Sequence, residues 1–463
     1  MKIKTINPST EQVLQEYDSI NQDQIKTIVK NSKTEFQNWK KNIHKRIELV
    51  HVLADEIRKN KTSLAEFATK EMGKPLKESL SEIEKCAWVM EFYGDNGQSF
   101  ISDESINSDA RKTVVSFEPI GVIASIMPWN FPYWQVSRFA APSLIAGNTI
   151  ILKPASATLQ CGIELAKIFR NAGFPDDVFQ VAVGNSSVAE GLLDSPEVNG
   201  VTFTGSTVVG AKVAQKASLN LKKCVLELGG SDPFIVFDDA DIEKASDGAV
   251  RGRFINCGQS CVASKRFILT KNIADSFIDS FVRKTEKLKV GNPLSEDTDI
   301  GPLVNDSALK TIENQVSDAK NKGAQILTGG QRIGDRGYFF SPTIMKNISK
   351  DMRVYSQETF GPVASIFIAD DEDEAIKIAN ASEFGLGASV WTSDYDKAEK
   401  ISRALECGMV AINNMMMSDP RVPFGGIKHS GFGRELSKYG ILEFMNIKSI
   451  RFYDKLSHHH HVE

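Results

Sequence analysis

Apolar and charged positions follow two different patterns along the chain. Along the first hundred residues they alternate with the spacing of helices that bury one face and expose the other. Three segments show the pattern most clearly: 25–41, 45–60 and 61–74. We therefore expect amphipathic surface helices that pack on the rest of the protein.

The pattern changes at Lys112, where β-branched residues form short runs. The pattern predicts a strand, a turn at Glu118 and Pro119, and a second, buried strand. Helices and strands then alternate: a helix from Gln135, strands at 148–152, 178–181 and 200–203, and helices at 161–171 and 187–193. This order predicts an α/β fold whose parallel sheet carries helices on both faces and binds a nucleotide at the carboxyl ends of its strands.

A second α/β half follows from about residue 233 to residue 413. Its predicted elements are helices at 273–288 and 373–380 and strands at 324–327 and 363–368. A chain of 463 residues is too long for one hydrophobic core. No repeat or low-complexity linker separates the halves, so we expect domains that pack against each other.

Composition narrows the range of partners. With 41% hydrophobic residues, 25% charged residues and a net charge of -4, the chain has no basic excess to attract nucleic acid or a membrane surface. No uncharged apolar run reaches the ~18 residues of a spanning helix, and the first residues lack the apolar core of a signal peptide. We expect a cytoplasmic protein that binds small molecules and copies of itself.

Cysteines and histidines add little at this level. Six cysteines in so long a chain form no dense disulfide framework and are interpreted as reduced thiols. The four histidines from His458 to His461 resemble an expression remnant more than a metal site. We assign them no function and predict no metal ion.

Cys261 is the candidate nucleophile. It follows a Gly258-Gln259-Ser260 turn, in which Gly258 and Ser260 give a thiolate the exposed, tightly turned position that it needs. The alternative is a buried, inert thiol, which is the commoner state of cysteine.

Two further segments have two interpretations each. Gly205 and Ser206 lie between a strand and a helix, where they either hold a phosphate or simply cap the helix. Glu227 interrupts an apolar run before two glycines. It is either a charge at the sheet edge or a base whose pKa is raised by apolar neighbours.

An ordered series of motifs resembles the aldehyde dehydrogenase superfamily over nearly the whole chain. The motifs are Asn130 within 128–132, Phe203 to Gly210, Glu227 in LELGG, Cys261 in GQSC, Glu358 within 358–362, and the segments 423–426 and 430–435. Within that family the chain is most similar to bacterial NAD(P)-dependent succinate-semialdehyde dehydrogenases, through 230–236, 263–267 and 418–426.

The resemblance implies a domain plan. Residues 1–105 and 120–229 would form a Rossmann-like dinucleotide-binding domain, and residues 230–430 a catalytic domain. Residues 106–119 and 431–463 would form an oligomerisation flap and the C-terminal segment, with the strand near Lys112 joined to the stretch from Phe444 to Tyr453. Homodimers or homotetramers would follow from pairing of flap strands between subunits.

The resemblance also implies the chemistry, which is oxidation of an aldehyde to a carboxylic acid. Cys261 would attack the aldehyde carbon, and the Asn130 amide with the Cys261 backbone N–H would hold the oxyanion. After hydride leaves to the nicotinamide of NADP or NAD, Glu227 would activate the water that hydrolyses the thioester. Transfer of the acyl group to coenzyme A or phosphate is an alternative, as is a catalytically silent relative, but the chain keeps all three residues.

Cofactor and substrate residues follow by the same resemblance. The cofactor residues would be Trp129, Lys153, Ser156, Gly205, Ser206, Glu358 and Phe360. Ser156 stands where many NAD-specific relatives carry a Glu, and a carboxylate there would repel a 2′-phosphate, so we predict that NADP is accepted.

For the substrate, Arg138 and Ser418 would bind a distal carboxylate, and Phe131, Trp134 and Phe424 would form apolar walls. Ile255 replaces a second Arg of the longer relatives, and we predict that Arg421 supplies the missing charge. The expected substrate is succinic semialdehyde; the alternative is broad specificity for aliphatic or other ω-carboxylated aldehydes.

Cys257 lies four residues before the nucleophile. A turned segment could bring the two sulfurs within disulfide distance, which suggests a reversible oxidative switch. The alternative is that Cys257 fills a small apolar site.

Overall fold

The computed structural model describes residues 2–454, so the histidines at 458–461 lie outside the described residues. The chain opens with an antiparallel hairpin and four helices, the last of them largely buried. Their bounds are β1 Lys2–Ile6, β2 Val13–Asp18, α1 Gln22–Trp39, α2 Ile43–Lys59, α3 Lys61–Met72 and α4 Leu76–Phe100. The amphipathic helices expected from the spacing are therefore confirmed, and α4 extends the series.

A three-stranded antiparallel sheet contains the segment that connects the helical region to the first α/β region. Its first two strands are β3 Glu104–Ile106 and β4 Lys112–Pro119, and its third comes from the end of the chain. The turn predicted at Glu118 and Pro119 is wrong, because both residues remain in β4. The chain bends at Gly121, and the N–H groups of Ile120 and Gly121 both donate to Asn148 Oδ1, at 2.9 and 3.0 Å.

The first α/β unit is a parallel sheet covered by helices, as the alternating pattern predicted. Its strand order is β19-β9-β8-β5-β6-β7, in which only β19 (Gly431–Phe432, from the C-terminal segment) is antiparallel. Its elements are β5 Val122–Ile126, α5 Trp134–Ala146, β6 Thr149–Lys153, α6 Leu159–Asn171, β7 Phe179–Val181, α7 Ser186–Asp194, β8 Val198–Thr204, α8 Thr207–Leu219 and β9 Lys223–Glu227.

The second unit contains a seven-stranded sheet of order β12-β13-β14-β11-β10-β16-β17, parallel except for the edge strand β12. Its elements are β10 Pro233–Val236, α9 Ile242–Phe254, β11 Arg266–Thr270, α10 Lys271–Thr285, α11 Asp306–Asn321, β12 Gln325–Thr328, β13 Thr343–Lys346, α12 Arg353–Ser356, β14 Val363–Ala369, α13 Glu372–Asn380, β15 Phe384–Gly385, β16 Gly387–Trp391, α14 Tyr395–Ala404 and β17 Met409–Ile412.

The C-terminal segment returns to the earlier sheets. It comprises β18 Ile427–Lys428, β19 Gly431–Phe432, α15 Ser437–Leu442 and β20 Met445–Phe452. Strand β20 pairs with β4 along its whole length, from Met445 opposite Pro119 to Phe452 opposite Lys112. This pairing is the one expected for the small flap.

The site residues gather where the strands of the first sheet end. Lys153 ends β6, Gly205 follows β8, Glu227 ends β9, and Asn130 lies four residues beyond β5. In a doubly wound sheet this edge is the one that binds ligands. None of the helices formed by residues 2–454 combines the length and apolar character needed to cross a membrane.

Candidate active site

The segment before Cys261 makes an unusually sharp reversal. Its backbone is left-handed at three consecutive residues, Asn256 (φ 56°), Cys257 (φ 58°) and Gly258 (φ 75°). A Cβ on Gly258 would stand 2.3 Å from the carbonyl oxygen of Gly361, so only glycine fits there. The predicted role of Gly258 in the turn is thus confirmed, whereas two non-glycine residues share the strained conformation.

A buried arginine holds this strained segment. Arg253 is fully buried, and its guanidinium donates to the carbonyl oxygens of Ser264 (2.9 Å), Gly258 (2.7 Å) and Gly361 (2.5 Å). Burial lowers the pKa of Arg253 to about 9. The side chain therefore ties both flanks of the Cys261 segment to the loop at Gly361.

Lys265 adds a second constraint from the other side. Its ammonium group donates to the carbonyl oxygens of Ser260 (3.0 Å) and Cys261 (2.5 Å) and lies 3.4 Å from a carboxylate oxygen of Glu358. Gly230 N–H donates to the same carboxylate at 3.0 Å. The candidate nucleophile and the candidate ribose-binding carboxylate are consequently held by one cation.

The thiol of Cys261 is partly exposed but largely removed from water. Burial raises its pKa to about 11; the cations of Arg138 and Lys265 oppose that shift, and the carboxylates of Glu358 and Glu227 add to it. In the free protein Cys261 is therefore a thiol at neutral pH, and deprotonation must accompany its attack.

Asn130 has the donor that an oxyanion requires. Its side chain is buried, and Nδ2 donates to the Gln259 carbonyl oxygen at 3.1 Å. An amide nitrogen carries two N–H groups, so one remains for a ligand. Asn256 Nδ2 donates to the Asn130 carbonyl oxygen at 2.9 Å, which fixes the amide-bearing segment against the nucleophile segment.

Glu227 is buried, and neither of its carboxyl oxygens has a hydrogen-bond partner among residues 2–454. Burial raises its pKa well above the usual range; Arg138 opposes this, and Glu435 reinforces it. Of the two interpretations left open by the sequence, a charge at an exposed edge does not fit this environment. A base with a raised pKa does.

Arg138 faces the same cavity but is already paired. Its guanidinium forms a buried ion pair with Glu435, donates to Thr204 Oγ1 at 3.4 Å, and lies 4.4 Å from the centre of the Phe424 ring. This pair joins residues 297 positions apart in the chain. The arginine expected to bind the substrate thus lines the pocket with its charge largely compensated.

A cavity of about 460 Å³ opens beside Cys261. Phe131, Trp134 and Phe424 line it, together with Ile255 at the position where the longer relatives carry an arginine. The apolar walls that the sequence predicted are therefore brought together around the thiol.

The far side of the cavity differs from the prediction. Ser418 lines it as expected, but Arg421 does not: its guanidinium is two-thirds exposed and pairs with Asp419 at 2.6 Å. The expectation that Arg421 supplies the second charge is wrong, because the neighbouring carboxylate holds it at the surface. Lys85 of α4 lies there instead, 2.7 Å from Ser418 Oγ.

The expected cofactor residues form a consistent set at the sheet edge. Lys153 is buried, and among residues 2–454 no carboxylate lies within ion-pair distance of it; burial lowers its pKa. Ser206 occupies the N-cap position of α8, yet its hydroxyl makes no capping hydrogen bond. An unpaired cation and free donors at a helix start fit a nucleotide phosphate better than a plain helix cap does.

The remaining cofactor residues lie on two facing segments. The rings of Trp129 and Phe360 meet edge to face with 5.7 Å between their centres. Ser156 begins a short 3₁₀ turn after β6 and is partly exposed, and Gly205 follows β8 directly. Within residues 2–454, no three His, Cys, Asp or Glu side chains are grouped to hold a metal ion.

Cys257 is fully buried in the core of the second sheet. Its Sγ accepts a hydrogen bond from Gly301 N–H at 3.1 Å, whereas Cys261 packs against the core of the first unit. This environment fits the alternative in which Cys257 fills a small apolar site.

Comparison with known proteins agrees with this geometry. The profile of the aldehyde dehydrogenase family matches residues 1–450. The chain belongs to the aldehyde dehydrogenase family. It is 43% identical over 451 residues to a probable succinate-semialdehyde dehydrogenase [NADP(+)] of Synechocystis, which covers 97% of this chain and 99% of that protein.

Other family members are similar over the same extent. Succinate-semialdehyde dehydrogenase [NADP(+)] 1 of Mycobacterium ulcerans is 42% identical over 455 residues, covering 97% of this chain and 99% of that protein. The solved structure of succinic semialdehyde dehydrogenase from Streptococcus pyogenes in complex with NADP+ superposes with a TM-score of 0.95 at 34% identity, covering 98% of this chain and 100% of that one.

Several residues that shape this site were not predicted from the sequence. Arg253, Asn256 and Lys265 support the Cys261 segment, and Lys85 lines the cavity beside Cys261. The sequence does show that Lys265 is a cation four residues after Cys261, and that Lys85 is a cation next to Glu82 and Cys86, which are buried in α4. Their partners were not visible, because those lie in distant parts of the chain.

Proposed function

We propose that this chain oxidises succinic semialdehyde to succinate, with NADP as its preferred hydride acceptor. The observation that carries the proposal is the cavity beside Cys261, whose walls are apolar and whose far side bears Ser418 and cationic groups. Such a cavity suits a short aliphatic aldehyde with a terminal carboxylate. The names of the relatives from Synechocystis and Mycobacterium ulcerans agree with this substrate.

In the first step the Cys261 thiol gives up its proton to solvent in the cavity, and its sulfur attacks the aldehyde carbon to form a thiohemiacetal anion. The carbonyl oxygen becomes an oxyanion, which accepts hydrogen bonds from the free N–H of the Asn130 amide and from the Cys261 backbone. A neutral donor held in advance at such a position contributes about 10²–10³ in rate. Loss of hydride then leaves a thioester on Cys261.

Glu227 serves the second half of the reaction. Its buried carboxyl group has no hydrogen-bond partner among residues 2–454, and burial raises its pKa well above the usual range, which makes its ionised form a stronger base. It accepts a proton from the water that attacks the thioester, and Cys261 departs as the carboxylic acid forms. Positioned bases of this kind contribute ~10²–10⁴ in rate.

NADP, when bound, supplies the nicotinamide that accepts the hydride. Lys153 and Ser156 would hold the adenosine ribose with its 2′-phosphate, and Gly205 and Ser206 the pyrophosphate. The buried, unpaired ammonium of Lys153 supports this assignment. Glu358 would hold the nicotinamide ribose, next to Trp129 and Phe360.

Broad specificity for aliphatic aldehydes is the second candidate function. It is favoured by Ile255 in the cavity wall and by the pairing of Arg138 with Glu435. Both features reduce the charge available to a substrate carboxylate.

A panel of aldehydes with NADP and NAD, followed by absorbance of the reduced nucleotide, tests both candidates. We expect kcat/KM for succinic semialdehyde to exceed that for butanal by at least about tenfold, the value of one charge-assisted hydrogen bond. Equal values for the two aldehydes would replace this proposal with the broad-specificity one. An efficiency with NADP that is a thousandfold below that with NAD would overturn the cofactor assignment.

The proposal extends to the domain organisation and the oligomeric state. We place the dinucleotide-binding, catalytic and flap regions at the boundaries expected from the sequence, in a cytoplasmic homodimer or homotetramer. Strand β20 supports assembly, because it pairs with β4 on one side and exposes Ile447 and Phe452. Light scattering coupled to size exclusion measures the oligomer, and a monomer at micromolar concentration would contradict it.

A further inference from the structure

Four cationic side chains line the substrate cavity: Lys77, Lys85, Arg138 and Arg251. Lys77 pairs with Asp299 at 2.6 Å, and Arg138 pairs with Glu435. Arg251 belongs to an exposed position of α9. Lys85 is therefore distinguished within the described residues as a half-buried cation of the cavity that forms no ion pair.

The contacts of Lys85 are with neutral groups. Its ammonium donates to Ser418 Oγ at 2.7 Å and lies 4.5 Å from the centre of the Trp134 ring. Because the lysine donates to it, the Ser418 hydroxyl keeps its own hydrogen to donate elsewhere. An ammonium and a hydroxyl donor thus lie side by side on the cavity wall.

We propose that Lys85, together with Ser418, binds the distal carboxylate of the substrate. This inference rests on the proposed function and names the residue that decides its specificity. The partly buried ammonium lacks an anionic partner, and a carboxylate of the substrate supplies one. Trp134 contributes through both its apolar face along the substrate chain and its cation–π contact with Lys85.

The electrostatic setting agrees with this role. The pKa of Lys85 is lowered to about 8, chiefly by burial and also by the nearby Arg138 cation, while Cys86, Asp419 and Glu82 act in the opposite sense. Arg58, Lys61 and Glu84 lie on the outer groove that Lys85 also touches. A bound carboxylate restores the preference of Lys85 for its charged form.

The test compares Lys85→Met with wild type on succinic semialdehyde and on butanal, which has the same four carbons without the carboxylate. Methionine keeps an unbranched stem against Trp134. We expect kcat/KM for succinic semialdehyde to fall roughly 10- to 100-fold, mainly through KM, the effect of one charge-assisted hydrogen bond. The value for butanal is expected to change less than about threefold, and Lys85→Arg to restore most of the loss.

Lys77→Met is the matched control, since it removes a paired lysine from the same helix and the same cavity wall. An equal loss in Lys77→Met and Lys85→Met would show a general charge effect and overturn the inference. So would an equal loss on both aldehydes, or a selective loss in Arg251→Met with none in Lys85→Met. Circular dichroism of each variant separates misfolding from lost recognition, and Lys85→Arg keeps the question open to test if Lys85→Met fails to fold.

The pH dependence gives an independent measure. Raising the pH through 8 removes the proton of Lys85, so KM for succinic semialdehyde should rise there while KM for butanal does not. Lys85→Arg should abolish that rise, because an arginine stays charged. If wild type prefers succinic semialdehyde but Lys85→Met keeps that preference, this inference fails and the proposed function stands. If wild type shows no preference, the proposed function itself fails.

Discussion

The two ends of the substrate cavity treat polar groups in opposite ways. At the catalytic end, three buried polar atoms have no hydrogen-bond partner among residues 2–454: both carboxyl oxygens of Glu227 and Oδ1 of Asn130. Along the rest of the cavity wall, charged and polar groups are already engaged: Lys85 with Ser418, and Arg138, which lies near Cys261 and Glu227, with Glu435.

This difference separates catalysis from recognition. An unsatisfied buried polar atom costs free energy that folding must offset elsewhere, and it persists where reactants or water will use it. The Arg138–Glu435 ion pair stabilises the fold and leaves less of the arginine charge for a substrate, whereas Lys85 donates to a neutral hydroxyl and keeps its charge. Variants of Cys261 and Glu227 should therefore lose activity with little loss of stability, and variants of the Arg138–Glu435 ion pair should lose stability.

The largest expected effect is that of Cys261→Ala. It removes the only atom in the site that can form the thiohemiacetal, so kcat should fall by roughly 10³-fold or more. NADP binding, measured by fluorescence titration, should persist because no proposed cofactor contact is lost. Turnover above a few per cent of wild type would move the nucleophile to another residue.

Glu227→Gln should affect the second half of the reaction. Steady-state turnover is expected to fall ~10²–10⁴-fold, because the thioester loses its base, whereas one equivalent of reduced nucleotide still forms in a rapid first turnover. Stopped-flow absorbance measures this burst. Its absence would place Glu227 before hydride loss and break the division of labour proposed here.

Arg138→Ala should be the least stable of these variants. It leaves the Glu435 carboxylate buried without its partner, which costs about 3–5 kcal/mol, measured as loss of unfolding free energy in urea. The double variant Arg138→Met with Glu435→Gln should recover part of this loss. Arg421→Ala is the control, since its exposed pair with Asp419 is worth ~0–1 kcal/mol. Equal losses in the exposed and buried variants would contradict the comparison.

The smallest effect is a pH dependence at the catalytic end. Because burial raises the pKa of Cys261 to about 11, its thiolate fraction grows as pH rises. Alkylation of the cofactor-free protein by iodoacetamide should therefore accelerate about tenfold per pH unit between about pH 7 and 9. Peptide mapping assigns the modified cysteine. A plateau of the alkylation rate within this range would show that burial raises the pKa of Cys261 less than expected.

Much of the fold was accessible from the sequence. Alternation of β-branched runs with amphipathic segments predicted the parallel sheet from β5 to β9, because buried parallel strands and their covering helices have distinct periodicities. The turn at Glu118 and Pro119 failed for a definite reason. The N–H groups of Ile120 and Gly121, which follow β4, both donate to the side chain of Asn148, and the chain bends at Gly121 instead.

The candidate site was accessible in part. The tight turn before Cys261 could be predicted because it requires a glycine. Gly258 has a positive φ, and the Gly361 carbonyl lies too close to it for a Cβ. The role of Arg421 was misjudged because proximity in sequence to Ser418 says nothing about direction. Its guanidinium turns to Asp419, two residues away, and leaves the cavity.

The sequence by itself determined which chemical groups are present and the order of strands that presents them. These depend on short segments, where backbone geometry restricts the residue type. Only the tertiary structure decided how the charges are shared. Arg138 meets Glu435 across 297 positions and Lys85 meets Ser418 across 333. Electrostatic partners are chosen by distance in space, and periodicity along the chain places a charge on a helix face without showing what lies opposite.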